Sequence, residues 1–396
     1  MTLPLEATPG AVWLSRWETG LNTGQKTGLS PTLQEVVGTL RESAPQSYLV
    51  GGSVRDLLLG RPTRDLDILL LGPVKPPGKT LAQTFGADLT SHDTFLTCSL
   101  TFPNGNTLDM SQARLERYPH PGALPSVVPS DLAHDLYRRD FSVNALALSL
   151  SAPHELIGVR GARENLEAKT LRILHERSFL DDPTRIVRGA RLAARLDFTF
   201  EDRTANALHD ALEEGAGAWV SPARRKNELL LCLEERAVAP VISTLNDVGA
   251  LRAFYGLEDA LLLAELDALR DTHAVPLESY LLALLLPLSA DGAAAFVRTF
   301  GFPQRLLAAR SRVLKKEPPR TVPEAPLTHL LYAGVAPLHP PVRGSDVISL
   351  GLPAGPEVGT VLRELGQARV SGKVASFADE LELAKRLVFK TLQEQT

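Results

Sequence analysis

The sequence predicts an α+β protein in which a mixed β-sheet comes first and an all-helical region follows. Short apolar runs separated by turn residues occupy roughly residues 48–110, which is typical of strands. From about residue 160 onward, segments rich in leucine, alanine and arginine follow one another with helical spacing. Strands grouped before helices favour an α+β head on a helical body. With 396 residues, the chain is too long for one hydrophobic core, so several domains are expected.

The predicted elements of the head follow from local residue patterns. An apolar run that includes an acidic pair predicts a buried strand over Asp65–Leu71, and Asn104-Gly105 predicts a hairpin turn. A Pro- and Gly-rich segment, 118–129, separates these strands from residues 136–150. The other predicted elements are a helix over Pro31–Leu40, strands over Tyr48–Val50, Leu96–Phe102 and Thr107–Met110, and a last helix over 376–392.

These patterns divide the chain into domains. We expect a polar, poorly structured lead-in (1–30), the head (31–150), a helical neck (151–235), a helical body (236–317), and a Pro-rich linker with a helical tail (318–396).

Composition excludes some classes of protein. The hydrophobic content of 44% and the charged content of 22% are ordinary for a globular protein. The longest strongly apolar stretch, Tyr280–Leu286, is stopped by a proline and is too short to span a bilayer. The N-terminus lacks a basic start followed by an apolar run, and only two cysteines occur, so we expect a cytoplasmic protein without disulfides or membrane association. A net charge of −4 does not exclude nucleic acid as a partner, because a local basic stripe can still bind phosphates.

A glycine pair after the first predicted strand indicates a phosphate-binding turn. In YLVGGSVRD, Gly51 and Gly52 let the backbone approach a ligand, and a helix begins near Ser53. Backbone N–H groups at such a turn favour phosphate, and Arg55 in the first helical turn could contact phosphate oxygens. Alone, this pattern is a weak signal.

Two aspartates strengthen that interpretation. Asp65 and Asp67 are two residues apart in the predicted strand, so both side chains project from one face. Crowded carboxylates repel one another unless a cation is bound, and oxygen ligands suit Mg²⁺. Asp109, at the end of a neighbouring predicted strand, could complete a two-metal site of the kind that steadies a leaving pyrophosphate. The alternative is a solvated strand edge.

Four segments together make the chain recognisable. Residues 49–67 resemble motif A of class II tRNA nucleotidyltransferases and bacterial poly(A) polymerases, and 138–147 (RRDFSVNALA) look like motif B. Residues 181–198 (DDPTRIVRGARLAARLDF) resemble the segment that holds the nucleotide-base template, and 221–231 resemble a later neck motif. All four occur in the order and spacing of that family. The resemblance implies a polymerase-β-like nucleotidyltransferase head, Mg²⁺ bound by Asp65 and Asp67, and tRNA and ATP as partners, with CTP as a further candidate.

The resemblance also implies roles for individual residues. In RRDFSVNALA, which we expect to be helical, Asp140 and Asn144 are four residues apart and would share one helical face, and Arg138 and Arg139 could contact the triphosphate. Arg139, Asp140 and Asn144 would bind the phosphates and sugar of the incoming nucleotide. Asp182 and Arg185 would hydrogen-bond the base edge, while Asp181 stands where relatives carry glutamate. Further arginines follow Arg185 at helical spacing, so they form an arginine stripe along one side of a helix. This arginine stripe could contact the triphosphate near its start and RNA phosphates beyond, or it could be a solvated face. Those arginines are Arg188 for the triphosphate and Arg191 and Arg195 for RNA.

Several functions stay open at this point. The segment 114–139 lies where relatives carry a flexible loop that helps to switch nucleotide specificity. Its Tyr-Pro-x-Pro-Gly-Ala-Leu-Pro core and the DDPTR motif resemble the branch of the family that adds only the terminal A. Full CCA addition is the alternative, and addition of CC alone is the third candidate. A-only addition would require a separate CC-adding enzyme. There are three rival functions. Poly(A) polymerase is disfavoured by the non-basic C-terminus, a catalytically inactive RNA-binding protein by the intact acids, and a metal-dependent nuclease by the glycine turn.

Overall fold

The protein was analysed as a computed structural model that describes residues 3–10, 33–61, 66–258, 260–271, 275–315, 317, 326–327, 330–331, 342–370, 374 and 376–394. These residues form two compact units. The first contains the described residues within 1–189 and 196–219, and the second contains those within 190–195 and 220–396.

The first unit is built on a mixed sheet of eight strands, which confirms the predicted class of head. The strands are β1 (Leu5–Pro9), β2 (Ser47–Val50), β3 (Leu66–Leu70), β4 (Asp88–His92), β5 (Thr97–Thr101), β6 (Thr107–Gln112), β9 (Leu146–Ser149) and β10 (Glu155–Val159). Their order across the sheet is β1-β10-β9-β2-β3-β6-β5-β4. Neighbouring strands are antiparallel except β3 and β6, which are parallel.

Both ends of the predicted head differ from the sheet that forms. Leu5–Pro9 was expected in a poorly structured lead-in, but it is an edge strand paired with Glu155–Val159, which was assigned to the helical neck. The reason is backbone pairing: β10 needs a partner on its outer edge, and the N-terminal segment supplies it. The sheet is therefore larger than the small sheet expected from sequence. The predicted lead-in residues 11–30 lie outside the described part of the chain.

Turns at the centre of the sheet position the polar residues. The strand β2 ends at Val50, and Gly51 follows with φ 69° and ψ −133°, a conformation that side chains with a Cβ rarely adopt. The chain then enters the helix Gly52–Leu58. The predicted hairpin turn is also present, with Gly105 at φ 84°.

A second, two-stranded sheet lies in the region expected to be a loop. The strands β7 (Arg114–Arg117) and β8 (Ser126–Pro129) pair antiparallel, and the helix Leu132–Tyr137 follows. Asp131 caps this helix by accepting a hydrogen bond from the backbone N–H of His134 at 2.9 Å.

The motif RRDFSVNALA was predicted to be a helix, and this prediction is wrong. Only Ser142–Asn144 is helical, as one 3₁₀ turn, because β9 begins at Leu146 and leaves no room for an α-helix. Asp140 and Asn144 nevertheless meet, since the tight turn brings them together.

The rest of the first unit is mainly helical. A short parallel pair joins β11 (Thr170–Leu171) to β12 (Thr199–Phe200). Its helices, including those already named, are Leu33–Ser43, Gly52–Leu58, Lys75–Phe85, Leu132–Tyr137, Ala162–Glu167, Ser178–Asp181, Asp202–Glu213 and Ala216–Trp219. The helix Thr184–Leu196 contributes residues to both units. The core contains Val36 and Leu40 from the first helix and Leu49 and Leu69 from the central strands, all buried.

In its described residues the second unit is entirely helical, as predicted for this part of the chain. The strands β11 and β12 of the first unit are a departure from the all-helical neck that the sequence predicted, because each pairs with a segment almost 30 residues away in the sequence. Asp267 joins three helices of the second unit: from its own helix it accepts the N–H groups of Val238 and Ala239 at 3.0 and 2.8 Å, and the hydroxyl of Tyr280 at 2.8 Å. No described helix has the length and apolarity to cross a bilayer. The helices are Pro222–Leu233, Val238–Asp247, Ala250–Tyr255, Leu263–Arg270, Leu277–Leu285, Ala290–Thr299, Arg305–Leu314, Gly344–Ser349, Pro356–Val370 and Phe377–Glu394.

Candidate active site

A cavity of about 330 Å³ in the first unit collects most of the residues singled out in the sequence. Nine of its lining residues were predicted site residues: Gly51, Gly52, Asp67, Arg139, Asp140, Asn144, Asp182, Arg185 and Arg188. The other five are Arg114, Glu116, Tyr118, Pro125 and Arg138. The lining carries five arginines against four carboxylates, so a protein of net charge −4 has a cavity with a formal charge of +1.

The glycine turn, Asp67 and Arg139 meet at one point of this cavity. A Cβ atom on Gly51 would lie 2.8 Å from Nη1 of Arg139 and 3.8 Å from Oδ2 of Asp67. The missing side chain of Gly51 therefore lets these two charged groups approach the backbone. Asp67 also faces Asp109 in the parallel register of β3 and β6, so both side chains lie on the same face of the sheet. The N–H of Gly51 donates to the carbonyl of Leu146 at 3.1 Å, so this amide is already used within the sheet.

Asp140 is the acceptor for three groups and is itself almost buried, with 8% of its side chain exposed. Its Oδ1 accepts the N–H of Phe141 at 2.8 Å and Nδ2 of Asn144 at 3.0 Å. Its Oδ2 accepts Nη2 of Arg188 at 2.8 Å. Burial by itself raises the pKa of Asp140, but the charge of Arg188 and these hydrogen bonds hold that pKa well below its usual value. Asp140 is thus a carboxylate whose position is fixed from three sides.

Asp182 and Arg185 stand at the start of the helix Thr184–Leu196. Asp182 accepts the backbone N–H of Thr184 at 3.2 Å and its hydroxyl at 2.7 Å, so it caps the start of this helix. Arg185 is buried, and it donates from Nη1 to Oγ of Ser178 at 2.7 Å and from Nη2 to the carbonyl of Arg138 at 2.6 Å. Its guanidinium group is therefore held against the protein on one side while it lines the cavity.

Sequence reasoning did not include the strand β7 in the site. Arg114, Glu116 and Tyr118 alternate along the chain, so they point to one side, and all three line the cavity. Period-two spacing was a usable signal, but the prolines and glycines that follow indicated a loop. Arg138 was considered only as a phosphate contact; its guanidinium instead binds Glu116 at 2.9 Å and Asp135 at 2.7 Å.

Among the described residues, four predicted site residues lie outside the cavity lining. Arg55 is buried and donates to Oδ1 of Asn144 at 2.6 Å and to Oδ1 of Asp56 at 2.8 Å. Asp109 is exposed and accepts the hydroxyl of Ser99. The remaining two, Arg191 and Arg195, belong to the second unit, where Nε and Nη1 respectively lie 3.8 and 3.5 Å from Oε1 of Glu235. Asp65 lies outside the described residues.

Oxygen donors in this cavity fit a hard divalent cation. Asp67 contributes a carboxylate to the lining of the cavity, whose volume of about 330 Å³ has space for an ion and its ligands. No group of three or more histidine, cysteine, aspartate or glutamate side chains meets within the residues that the structure describes, which do not include Asp65. The chemistry of the site therefore suits a cation shared between the protein and a phosphate ligand.

Comparison with known proteins identifies a family model and several similar proteins. Residues 47–172 match the family model for the poly A polymerase head domain. The chain is 37% identical over 356 residues to a CC-adding tRNA nucleotidyltransferase of Deinococcus radiodurans, a match that covers 87% of this chain and 91% of that protein.

Other relatives match a shorter part of the chain. An A-adding tRNA nucleotidyltransferase of Geobacter sulfurreducens is 42% identical over 207 residues, which is 52% of this chain but only 24% of that protein. Among solved structures, a tRNA nucleotidyltransferase complexed with a primer tRNA and an incoming ATP analog superposes with a TM-score of 0.59 at 25% identity, covering 91% of this chain and 98% of the other.

Proposed function

This chain belongs to the class II tRNA nucleotidyltransferase and poly(A) polymerase family, and we propose on that premise that it extends the 3′ end of tRNA from nucleoside triphosphates. It is a nucleotidyltransferase. The observation that carries the proposal is the cavity that combines Asp67, the bare backbone at Gly51 and an excess of arginines. Such a lining suits a ligand with several phosphate groups next to a cation.

In the proposed reaction, the 3′-hydroxyl oxygen of the tRNA forms a bond to the α-phosphorus of the nucleotide. The bond from that phosphorus to the bridging oxygen breaks, and pyrophosphate leaves. Arg139, which lies beside the glycine turn, and Arg188, which is oriented by Asp140, supply charge to the phosphates. Because both guanidinium groups are already held in place, catalysis would come from positioning and charge stabilisation, with no covalent nucleophile from the protein.

Proteins of this family generally use divalent metals. We propose Mg²⁺, held by Asp67 together with Asp65, because a spacing of two residues in the sequence would put both side chains on one side of an extended chain. Bound there, the metal would assist deprotonation of the attacking hydroxyl and neutralise the leaving pyrophosphate. Asp109, one strand away from Asp67, is a further candidate ligand.

For the base, we propose that Asp182 and Arg185 recognise hydrogen-bonding groups of the incoming nucleotide. One offers acceptors and the other donors, and both line the same cavity. A base with the wrong pattern would leave such groups unpaired.

CC addition is the leading proposal for specificity, because the relative that aligns over nearly the whole chain is a CC-adding enzyme. A second candidate is addition of the terminal A, alone or after CC. It is favoured by the A-adding relative, whose sequence identity to this chain is higher, at 42%, but extends over only 52% of the chain. Addition of CC alone or A alone would make a second enzyme necessary to complete the CCA end. We place the reaction in the cytoplasm, in agreement with two cysteines that are both free and buried.

Three tRNA substrates distinguish these possibilities. The protein is incubated with Mg²⁺, labelled CTP or ATP, and tRNAs that end before the first C, after CC, or after CCA. Two cytidines on the shortest tRNA with no A on either substrate would establish CC addition. Label from ATP only on the CC-ended tRNA would establish A addition, and both labels on the shortest tRNA would establish the full reaction. Long A tails would favour a poly(A) polymerase, and no label with retained tRNA binding would favour the inactive RNA-binding alternative.

The metal assignment is tested by Asp67→Ala. This variant should lose incorporation while its tRNA affinity is unchanged, because only the carboxylate beside the glycine turn is removed. Asp88→Ala is the matched control, since Asp88 is an exposed strand aspartate of the same sheet, and it should retain activity. Turnover near the wild-type rate in Asp67→Ala would refute the assignment.

A further inference from the structure

Glu116 joins three side chains at the wall of the cavity. It lies on β7 with 9% of its side chain exposed. Its Oε2 accepts the hydroxyl of Tyr118 at 2.8 Å, and its Oε1 accepts Nη1 of Arg138 at 2.9 Å. The same Oε1 lies 3.3 Å from Nη2 of Arg114. One carboxylate therefore sets the positions of an aromatic ring and two guanidinium groups.

The contact between Glu116 and Arg138 also affects Arg185, one of the two base-recognition residues proposed above. The side chain of Arg138 is clamped between Glu116 and the fully buried Asp135, at 2.9 and 2.7 Å. Its backbone carbonyl accepts Nη2 of Arg185 at 2.6 Å. Because two carboxylates hold the guanidinium group of Arg138, they restrain the residue whose main-chain carbonyl orients Arg185.

Tyr118 is the second branch from Glu116. Its ring lines the cavity together with Asp182 and Arg185, and its hydroxyl is directed away to Glu116. Burial, followed by the charge of Glu116, raises the pKa of Tyr118 above its usual value, so the hydroxyl stays a donor. The hydrogen bond to Glu116 therefore holds the ring of Tyr118 in one position next to the two proposed base-recognition residues.

We propose that Glu116 is a positioning residue for nucleotide selection, which acts by fixing the ring of Tyr118 and, through the main chain of Arg138, the guanidinium group of Arg185. This inference rests on the proposed nucleotidyl transfer. It goes beyond the sequence prediction, which associated the segment 114–139 with nucleotide specificity but gave no role to Glu116. Glu116 would touch neither the nucleotide nor the tRNA in this role.

The isosteric variant Glu116→Gln isolates the effect. Glutamine keeps the size and one acceptor oxygen, but it removes the negative charge and turns the second acceptor into an N–H donor. Arg114 and Arg138 then lose the charge that draws them together, and Tyr118 meets a donor in place of an acceptor. Tyr118→Phe removes only the hydroxyl branch. Ser126→Ala is the matched control: Ser126 lies on β8 of the same hairpin, is exposed, and donates to the carbonyl of Arg117 at 3.3 Å.

The test measures kcat and KM for CTP, ATP and UTP on the tRNA that the wild-type protein extends. In Glu116→Gln we expect KM for the correct nucleotide to rise and its kcat/KM advantage over the others to fall, each by about tenfold, the size of change expected when a charge-assisted hydrogen bond is lost. Tyr118→Phe should lose part of that advantage, and Ser126→Ala should keep all of it.

Two results would overturn the proposal. One is a Glu116→Gln variant with wild-type KM and selectivity. The other is a uniform loss for all three nucleotides together with a melting temperature well below that of Ser126→Ala, which would mean a purely structural role. A wild-type protein that incorporates no nucleotide would instead refute the proposed function, so the two failures are distinguishable.

Discussion

Replacing Gly51 with alanine should abolish most nucleotidyl transfer without unfolding the protein. Gly51 has φ 69° and ψ −133°, a region that residues with a Cβ avoid. Its missing side chain also leaves room for Arg139, whose Nη1 lies 2.8 Å from the position that a Cβ would take. Gly60 is the matched control: it follows the same helix, has φ 66°, and a Cβ added there would have no atom within 4 Å.

The magnitude follows from two parts. Holding a residue with a Cβ in such a backbone conformation costs about 1–3 kcal/mol. To reach an ordinary contact of 3.4 Å from 2.8 Å, the guanidinium of Arg139 must retreat by about 0.6 Å, while its Nη2 is tied to Asp135 at 3.0 Å. A displacement of this order at a reacting centre costs roughly 10²-fold in rate. We therefore expect kcat/KM to fall about 10²-fold in Gly51→Ala.

The assay pairs incorporation kinetics with thermal unfolding. Gly60→Ala should stay within about threefold of the wild-type kcat/KM and lose about 1 kcal/mol of stability, the usual cost of forcing a Cβ into this part of backbone space. A folded Gly51→Ala with wild-type kcat/KM would refute the reasoning. Equal loss of activity in both variants would also refute it, because backbone strain alone would then explain the effect.

Two further predictions concern the same unit. Burial raises the pKa of Asp140, but the charge of Arg188 holds that pKa below its usual value. The ionised form of Asp140 therefore stabilises the fold above about pH 4. This contribution to the free energy of unfolding is lost as the pH falls through the folded-state pKa. Asp140→Asn should therefore be less stable than wild type by about 1.5–3 kcal/mol at pH 6, a gap that narrows towards pH 3 in urea unfolding; a constant gap would contradict this. Gly122→Ala should destabilise by at least about 1 kcal/mol more than Gly105→Ala, because both glycines have positive φ but only at Gly122 would a Cβ lie 2.8 Å from that of Trp219. Equal urea midpoints for the two variants would contradict it.

The parts of the fold that sequence predicted are those determined by local chemistry. Gly51 follows a short apolar strand, and only glycine adopts its backbone angles readily, so the turn was visible in the sequence. The Asn104-Gly105 hairpin is a similar case. The motif residues Asp140 and Asn144 meet as expected, although through a 3₁₀ turn that a spacing of four residues does not distinguish from an α-helix.

What sequence missed depends on partners far along the chain. The pairing of Leu5–Pro9 with Glu155–Val159 joins segments about 150 residues apart, and neither has a pattern that specifies the other. The arginine stripe is a similar case, because helical spacing places Arg191 and Arg195 on one side but gives no sign that Glu235 lies opposite both. Their proposed RNA contact stays a prediction, and it would have to compete with that carboxylate.

The composition of the cavity explains why net charge was a poor guide to function. Each of its arginines is bound by an acceptor of the protein: Glu116 and Asp135 hold three of them, Asp140 holds Arg188, and Ser178 with a backbone carbonyl holds Arg185. These acids lower the total charge, yet they also orient the cations. These arginine side chains have already lost conformational entropy on folding, so binding a triphosphate costs less entropy than it would with mobile side chains. A nearly neutral but pre-ordered set of arginines can therefore bind phosphates better than a larger charge on mobile side chains, so the acids that make the protein acidic overall contribute to its proposed affinity for an anionic ligand.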